Sequence, residues 1–435
     1  MAEHPEVYAE AEVRLWGTTV GAVVELATGR ILFEYAEDFR REGLEISPLH
    51  LPTSLIGPQS FEELRRLPAF LGLPGALSDA LPDAFGRSVI RAYYEARGES
   101  RRALSPVQRL LYVGERALGA LTFHPAEALP IRPAEQESLD VQALAHDARR
   151  IVQGKPDVAI PEIYRMGSSA GGRRPKAIVH FDPESATIRS GGTLVRPGEI
   201  PCILKFDGVE GGEDTASLGP PQHYNRVEAA YRDMAVAAGV EMDVIRVLEV
   251  DGYAHLLLHR FDIEAGERLH QHTFGGMVHV DYNDPGASSY EEYLRTILRL
   301  GMAYDSLSQA FRRMVFNVLA INQDDHVKNF SFHMDRSGTW ALAPAYDVTF
   351  AYGEGWTRAH QLRIGDRMTG IRKADLLEIA RQFGVKKPER LLEEARTAIA
   401  DWEEHAVAHG VPAGVTRAIR QELNTRDAEL RGKKG

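Results

Sequence analysis

One cysteine in 435 residues removes two classes of protein at once. Cys202 has no partner for an intramolecular disulfide, and a zinc site built on thiolates needs more than a single sulfur. It lies in the apolar run "PCILKF", where a buried strand thiol is expected rather than a nucleophile. No apolar stretch reaches the roughly 18 residues of a membrane-spanning helix. "MAEHPEVYAE" does not read as a signal peptide, so a soluble cytoplasmic protein is expected. Basic residues are in deficit: 51 Lys and Arg against 62 Asp and Glu give a net charge of −11 and a pI near 5.8. That balance disfavours a global nucleic-acid binder and leaves room only for a local basic patch. The pattern G-x-x-x-x-G-K-[ST] is missing, which argues against a P-loop NTPase. The 16 histidines invite a metal reading. His405 and His409 have i, i+4 spacing but lack the Glu of H-E-x-x-H, and read as a helix face. There is no tandem repeat.

At 44% hydrophobic and 26% charged, the chain can bury a large core, divided among two or three domains. Residues 10–35 alternate apolar and polar around the turn in "ELATGRILFEY", which predicts a small antiparallel sheet. Helical periodicity follows in "SFEELRRLPAFLG" and in "ALSDALPDAFGRSVIRAYYEARG". The proline-bearing stretch 128–140 reads as a linker. Strand-like runs then dominate to residue 262, interrupted by one helix with Val227, Ala230, Tyr231, Met234 and Ala238 on one side and Gly239 as its stop. The Gly- and Pro-rich stretch 207–222 reads as a mobile loop. Beyond 290 the pattern is mostly helical, with Phe311, Met314, Val315, Val318 and Leu319 on one face and short strands near 330–342. The expected organisation is a small N-terminal domain (1–130), a β-rich lobe (141–262) and a helical lobe (263–435). A cleft between such lobes is a common nucleotide site.

The chemistry concentrates in "INQDDHVKNFSF". Asp324, followed five residues later by Asn329, offers the carboxylate and amide oxygen of a kinase catalytic loop: one to orient or deprotonate a hydroxyl, one to hold Mg²⁺. Lys328 is placed to steady a transferring phosphoryl group. Asp347 in "LAPAYDV", 23 positions after Asp324, supplies the second acid that a magnesium site needs. Asp324, Asp325 and His326 also permit a transition-metal reading, though nothing nearby in sequence completes it. Upstream, "GSSAGGRRPKAIV" puts small residues before a strand, where backbone can approach phosphates closely. Lys205 in "CILKFD" precedes a helix carrying Glu228, the arrangement that pairs nucleotide phosphates with an acid. "LLLHRFD", with His259 and Phe261, falls where a hinge over the adenine belongs, by position alone.

With those residues placed, the chain resembles the HipA family of serine/threonine kinases, the toxin half of bacterial toxin–antitoxin pairs. The motifs that carry the resemblance are "SSAGGRRPKA", "CILKFD", "HRFD", "INQDDHVKNFSF" and "LAPAYDV", joined by "GTTVGAVVEL", "LPDAFGR" and "YVGERALGALTF" in the N-terminal segment. The resemblance implies an α+β, two-lobed protein-kinase-like fold with an extra N-terminal subdomain. It implies ATP and Mg²⁺, with Asp324 catalytic, Asn329 and Asp347 on the metal, Lys205 on the ATP phosphates and Ser169 in the phosphate-proximal loop. The reading of the residues adds Lys328 to the catalytic group and Gly171, Gly172, Lys176, Glu228, His259 and Phe261 around the nucleotide. Ser169, seven positions before Lys176, matches the family's autophosphorylated serine, with Ser168 as a second candidate. The implied partners are a helix-turn-helix antitoxin of the HipB kind, through which alone DNA is reached, and a protein substrate such as an aminoacyl-tRNA synthetase. A small-molecule or lipid kinase, or a catalytically silent co-repressor partner, uses the same framework.

Overall fold

Alternation builds the first sheet. In β1 (Val7–Leu15) the residues Ala11, Val13 and Leu15 turn inward, and β2 (Thr18–Leu26) returns after a two-residue turn. That turn puts both Trp16 (φ 50°) and Gly17 (φ 88°) in the left-handed region, as a tight hairpin with right-handed strand twist requires. With β3 (Ile31–Tyr35) and β4 (Leu121–His124) the sheet runs β3-β2-β1-β4, antiparallel throughout. The computed structural model describes residues 6–99, 104–127, 138–155, 163, 174–191, 194–209, 218 and 221–432.

Two helix expectations need correction. "SFEELRRLPAFLG" forms only a 3₁₀ turn at Glu62–Leu64. Pro68 removes a backbone donor and disfavours the helical region for Leu67, and Leu71 (φ 55°) then reverses the chain. The next stretch breaks at Pro82 into Gly75–Ser78 and Ala84–Ala96, the second capped by Asp83, whose Oδ1 accepts from Gly86 N at 2.7 Å. A helix at Val141–Val152 was not legible beside the polar linker. Asp140 caps it, and Leu144, Ala145, Ala148 and Ile151 give it a buried face.

The second sheet places β6 (Thr187–Ser190), β5 (Lys176–Asp182), β7 (Ile200–Lys205) and β9 (Tyr253–His259) in that order, with β8 (Ile245–Val250) on the β9 edge. Cys202 is a buried free thiol in β7, as expected. Tyr93, Tyr94 and Tyr112 share one buried cluster with Leu144, Val179, Leu204 and Leu257. The N-terminal helices and the second sheet therefore have a common core. The chain forms two compact units: Met1–Gln222 with Leu248–His272 and Asp335–Gly338, and His223–Val247 with Thr273–Met334 and Thr339–Gly435.

Buried polar pins explain several sequence motifs of the first unit. Asp83 of "LPDAFGR" faces Lys176 at 3.5 Å. In "HRFD", Arg260 pairs with Asp262 at 2.6 Å, and Asp262 also accepts from Gly119 N at 2.8 Å. Gly119 has φ +76°, and a Cβ there would sit 2.8 Å from Gln271 N, so no other residue fits. Ser47 Oγ lies 3.0 Å from His272 Nε2, and His272 Nδ1 lies 2.7 Å from Asp79. This chain has the order of a hydrolase triad, but Ser47 and His272 are fully buried. No substrate reaches the serine, and the relay is a structural pin.

The Arg260–Asp262 pin predicts acid sensitivity. Burial alone raises the Asp262 pKa. The charge and hydrogen bonds of Arg260, the Gly119 N–H and the charge of Arg268 outweigh it and hold the carboxyl at about 2. A carboxyl depressed on folding contributes stability above its unfolded pKa, near 3.9, and loses it as pH falls towards 2. Asp262→Asn removes this contribution, on the order of 2 kcal/mol. Chemical denaturation from pH 5 to pH 2 should show a shallower stability loss in the variant. An unchanged slope would contradict the pin.

In the second unit, the helix Tyr224–Ala237 buries Val227, Ala230, Tyr231 and Met234, the side read from sequence. It packs among the C-terminal helices: Tyr231 donates to Ala320 O at 2.9 Å and stacks edge-on at 5.3 Å from Trp402. Tyr304–Leu319 buries Phe311, Met314, Val315, Val318 and Leu319. His409 Nε2 meets Asp233 at 2.7 Å, so this histidine secures a helix junction. Among the described residues no helix is long and apolar enough to cross a membrane.

Candidate active site

The helix Tyr304–Leu319 delivers the chain into the loop 321–330. Ile321 takes φ 54°, a strained choice for a β-branched residue, and the loop entry is stitched to Ala351 by Ala351 N→Ile321 O and Gln323 N→Ala351 O, each 3.0 Å. The two adjacent acids then part. Asp325 turns inward and is 1% exposed. Its Oδ2 accepts from Tyr290 Oη at 2.7 Å and contacts His360 Nδ1 at 2.9 Å, and its Oδ1 accepts from Gln361 N at 2.7 Å. Asn317 extends this network by donating to Tyr290 Oη at 2.9 Å. Asp324 turns outward, with 40% of its side chain exposed. Its Oδ1 accepts from Trp356 Nε1 at 2.7 Å. Because Asp325 commits both oxygens to protein donors, the Asp324–Asp325–His326 transition-metal reading fails.

The residues after the acids hold the loop's shape. His326 caps the 3₁₀ turn Val327–Asn329, its Nδ1 accepting from Lys328 N at 3.2 Å. Asn329 Nδ2 donates to Asp324 O at 2.7 Å, which leaves Oδ1 as the amide atom it can offer a cation. Tyr346 Oη donates to Lys328 O and takes a hydrogen bond from Ser331 Oγ, both at 2.6 Å, joining this loop to the segment of Asp347. That segment is fixed from behind by Ala345 N→Glu241 O at 2.8 Å, and Asp347 itself adopts φ 51°. The Lys328 ammonium lies 5.6 Å from the Tyr282 ring centroid. Thus Asp324, Lys328, Asn329 and Asp347 are carried by two tied segments of one unit.

Although two-fifths of the Asp324 side chain faces solvent, burial by its surroundings raises its pKa. His326 and the Trp356 N–H oppose the rise, while the negative charges of Asp347 and Asp325 add to it. Burial lowers the pKa of His326 against the pull of Asp324, Asp347 and Asp325. A raised carboxyl pKa suits a group that must take up a proton. The donor set suits magnesium better than a transition metal. Asn329 and Asp347 present hard oxygens, and Mg²⁺ is commonly held by one or two carboxylates together with substrate phosphates.

The other expected residues fall as follows. Lys176 and Lys205 are register partners on β5 and β7, both buried and on one face of the sheet. His259 ends β9 opposite Cys202, and Phe261 follows within the pinned "HRFD" segment. Glu228 is buried on Tyr224–Ala237 in the second unit, whereas Lys205 belongs to the first. Ser168, Ser169, Gly171 and Gly172 lie outside the described residues, as does most of 207–222. Sequence reasoning missed Tyr290, Asn317, Trp356, His360 and Gln361 as parts of the site, and read Asp325 as a metal candidate rather than an anchor. Only the doubled acid was a signal, and the structure sends its two carboxylates opposite ways.

Comparison with known proteins places the chain in a family. The HipA-like C-terminal domain matches residues 168–406, and the HipA N-terminal domain matches residues 11–124. Among curated relatives, the Sinorhizobium fredii protein "Putative kinase Y4dM" is 25% identical over 394 residues, 85% of this chain and 84% of its own length. "Putative kinase Y4mE" from the same organism is 26% identical over 269 residues, 56% of this chain and 59% of its own length. Among solved structures, HipA in the Shewanella oneidensis MR-1 complex of HipA, HipB and operator DNA superposes with a TM-score of 0.67. Its identity is 18%, and the match covers 97% of each chain. The chain belongs to the HipA family and has its kinase-like α+β fold.

Proposed function

We propose that this protein is an ATP- and Mg²⁺-dependent serine/threonine protein kinase acting as the toxin of a toxin–antitoxin pair. The observation that carries the reading is the division of labour between neighbouring acids: Asp325 is consumed as a buried anchor, which leaves Asp324 fixed, accessible and raised in pKa. Family membership, the kinase names of its relatives and the antitoxin-bound Shewanella structure support it.

In the reaction, the acceptor hydroxyl oxygen forms a bond to the γ-phosphorus of ATP. The bond from that phosphorus to the β,γ-bridging oxygen breaks, ADP leaves with the electron pair, and the hydroxyl proton passes to Asp324. Mg²⁺ bound with the nucleotide neutralises phosphate charge, and Asn329 and Asp347 are the residues to hold it. Lys328 steadies the transferred group, while Lys205 and Lys176, register partners on β7 and β5, supply positive charge for the phosphates. Gly171 and Gly172 belong to the phosphate loop, and His259 and Phe261 lie beside the base. Ser169, or Ser168, is the site of autophosphorylation. The acceptor is a protein serine, with an aminoacyl-tRNA synthetase as the leading class. A HipB-like antitoxin links the kinase to DNA in the cytoplasm.

Asp347→Ala should weaken ATP binding in Mg²⁺ by about tenfold or more, since a hard cation loses an oxygen ligand, and should leave metal-free binding unchanged. Calorimetry with ATP, with and without Mg²⁺, checks this. An unchanged Mg²⁺ dependence would move the metal elsewhere.

A further inference from the structure

Trp356 stands 32 positions beyond Asp324, in a segment that no nucleotide or metal role requires. It is 37% exposed, yet its single donor is spent on the one accessible carboxylate of the loop. The backbone that carries the indole is clamped as well. Gln361 Nε2 donates to Trp356 O at 2.8 Å and Ala359 O at 2.9 Å, while Gln361 N donates to Asp325. His360 meets Asp325 on its other oxygen. The buried acid thus fixes the segment, and the segment's indole fixes the exposed acid. The His326 ring stands 6.5 Å from Trp356 and 5.5 Å from Tyr282, extending an aromatic rim around Asp324.

We propose that Trp356 is a positioning residue whose N–H holds Oδ1 of Asp324, leaving Oδ2 for the acceptor hydroxyl, and whose exposed ring forms the wall against which the acceptor chain lies. This rests on the function proposed above and extends it to acceptor recognition. A carboxylate left to rotate spends less time aligned, which lowers kcat without altering nucleotide binding. A ring that touches the acceptor acts in both ground and transition states and therefore appears in the acceptor KM.

Three variants separate donor from ring, with dephosphorylated casein as the acceptor. Trp356→Phe keeps a ring without the donor: kcat should fall about tenfold, with both KM values within twofold. Trp356→Gln keeps a donor without the ring: kcat should stay within threefold, and the casein KM should rise at least fivefold. Trp356→Ala should show both defects, with the KM for ATP unchanged throughout. Wild-type kcat in the phenylalanine variant, or an ATP KM that moves with the others, overturns the assignment. A wild-type enzyme that labels neither casein nor itself overturns the kinase reading instead. The hydrogen bond is then read directly from ¹H–¹⁵N indole spectra. Asp324→Ala should shift the Trp356 signal and leave those of Trp16, Trp340 and Trp402 in place, and an unmoved Trp356 signal overturns the proposal.

Discussion

Asp324→Asn lowers turnover by about 10²- to 10⁴-fold and leaves ATP affinity within severalfold. Asparagine matches aspartate in size and can still accept from Trp356 Nε1 through its oxygen, so the loop keeps its shape. What disappears is the basic oxygen that takes the acceptor's proton as the O–P bond forms. The loss falls on the transition state, where the proton is in motion, and hardly on the bound nucleotide. Steady-state rates paired with calorimetric ATP titrations separate the two. Turnover near the wild-type level would remove Asp324 from the chemistry.

Asp325→Ala should destabilise the second unit by about 3–5 kcal/mol, an effect of folding rather than of chemistry. Its carboxylate receives Tyr290 Oη, the His360 ring and Gln361 N, all without access to water. Removing it strands those groups in a dry interior and leaves a cavity as well. Because Asp325 and His360 form one unit, the double variant Asp325→Ala/His360→Ala should lose less than the sum of the single losses. Urea denaturation followed by the fluorescence of Trp402, buried in the same unit, gives these values. A loss below 1 kcal/mol would show that the network does not anchor the loop.

Much of the framework was legible because it rests on periodicity. Alternation in 10–35 announced the first sheet, and the stripe Phe311–Leu319 announced the helix that delivers the loop 321–330. "INQDDHVKNFSF" and "LAPAYDV", paired in the sequence by their acids and amide, are tied in the structure through Tyr346 to Lys328 O and Ser331 Oγ. Other features depended on contacts distant in sequence. Nothing in "LPDAFGR" says that Asp83 meets Lys176, or that Asp262 needs Gly119 N–H, since these partners come together only through the shared core. Proline misled in the opposite sense: apolar spacing across Pro68 and Pro82 imitated helices that a missing donor forbids. Which acid of the Asp324–Asp325 pair is free could not be read either, because it follows from Tyr290 and His360, each 35 positions away.

The central claim, transfer of the ATP γ-phosphate to a protein serine or threonine, is tested most directly with purified protein, Mg²⁺ and γ-³²P-labelled ATP. The assay is run alone and with bacterial lysate, and is followed by phosphoamino-acid analysis and peptide mapping. The account predicts labelled phosphoserine on the chain's own 168–169 peptide and on a discrete lysate protein, with both signals absent for Asp324→Asn. Label that stays with nucleotide or a small molecule, or that reaches protein equally with the asparagine variant, would contradict it.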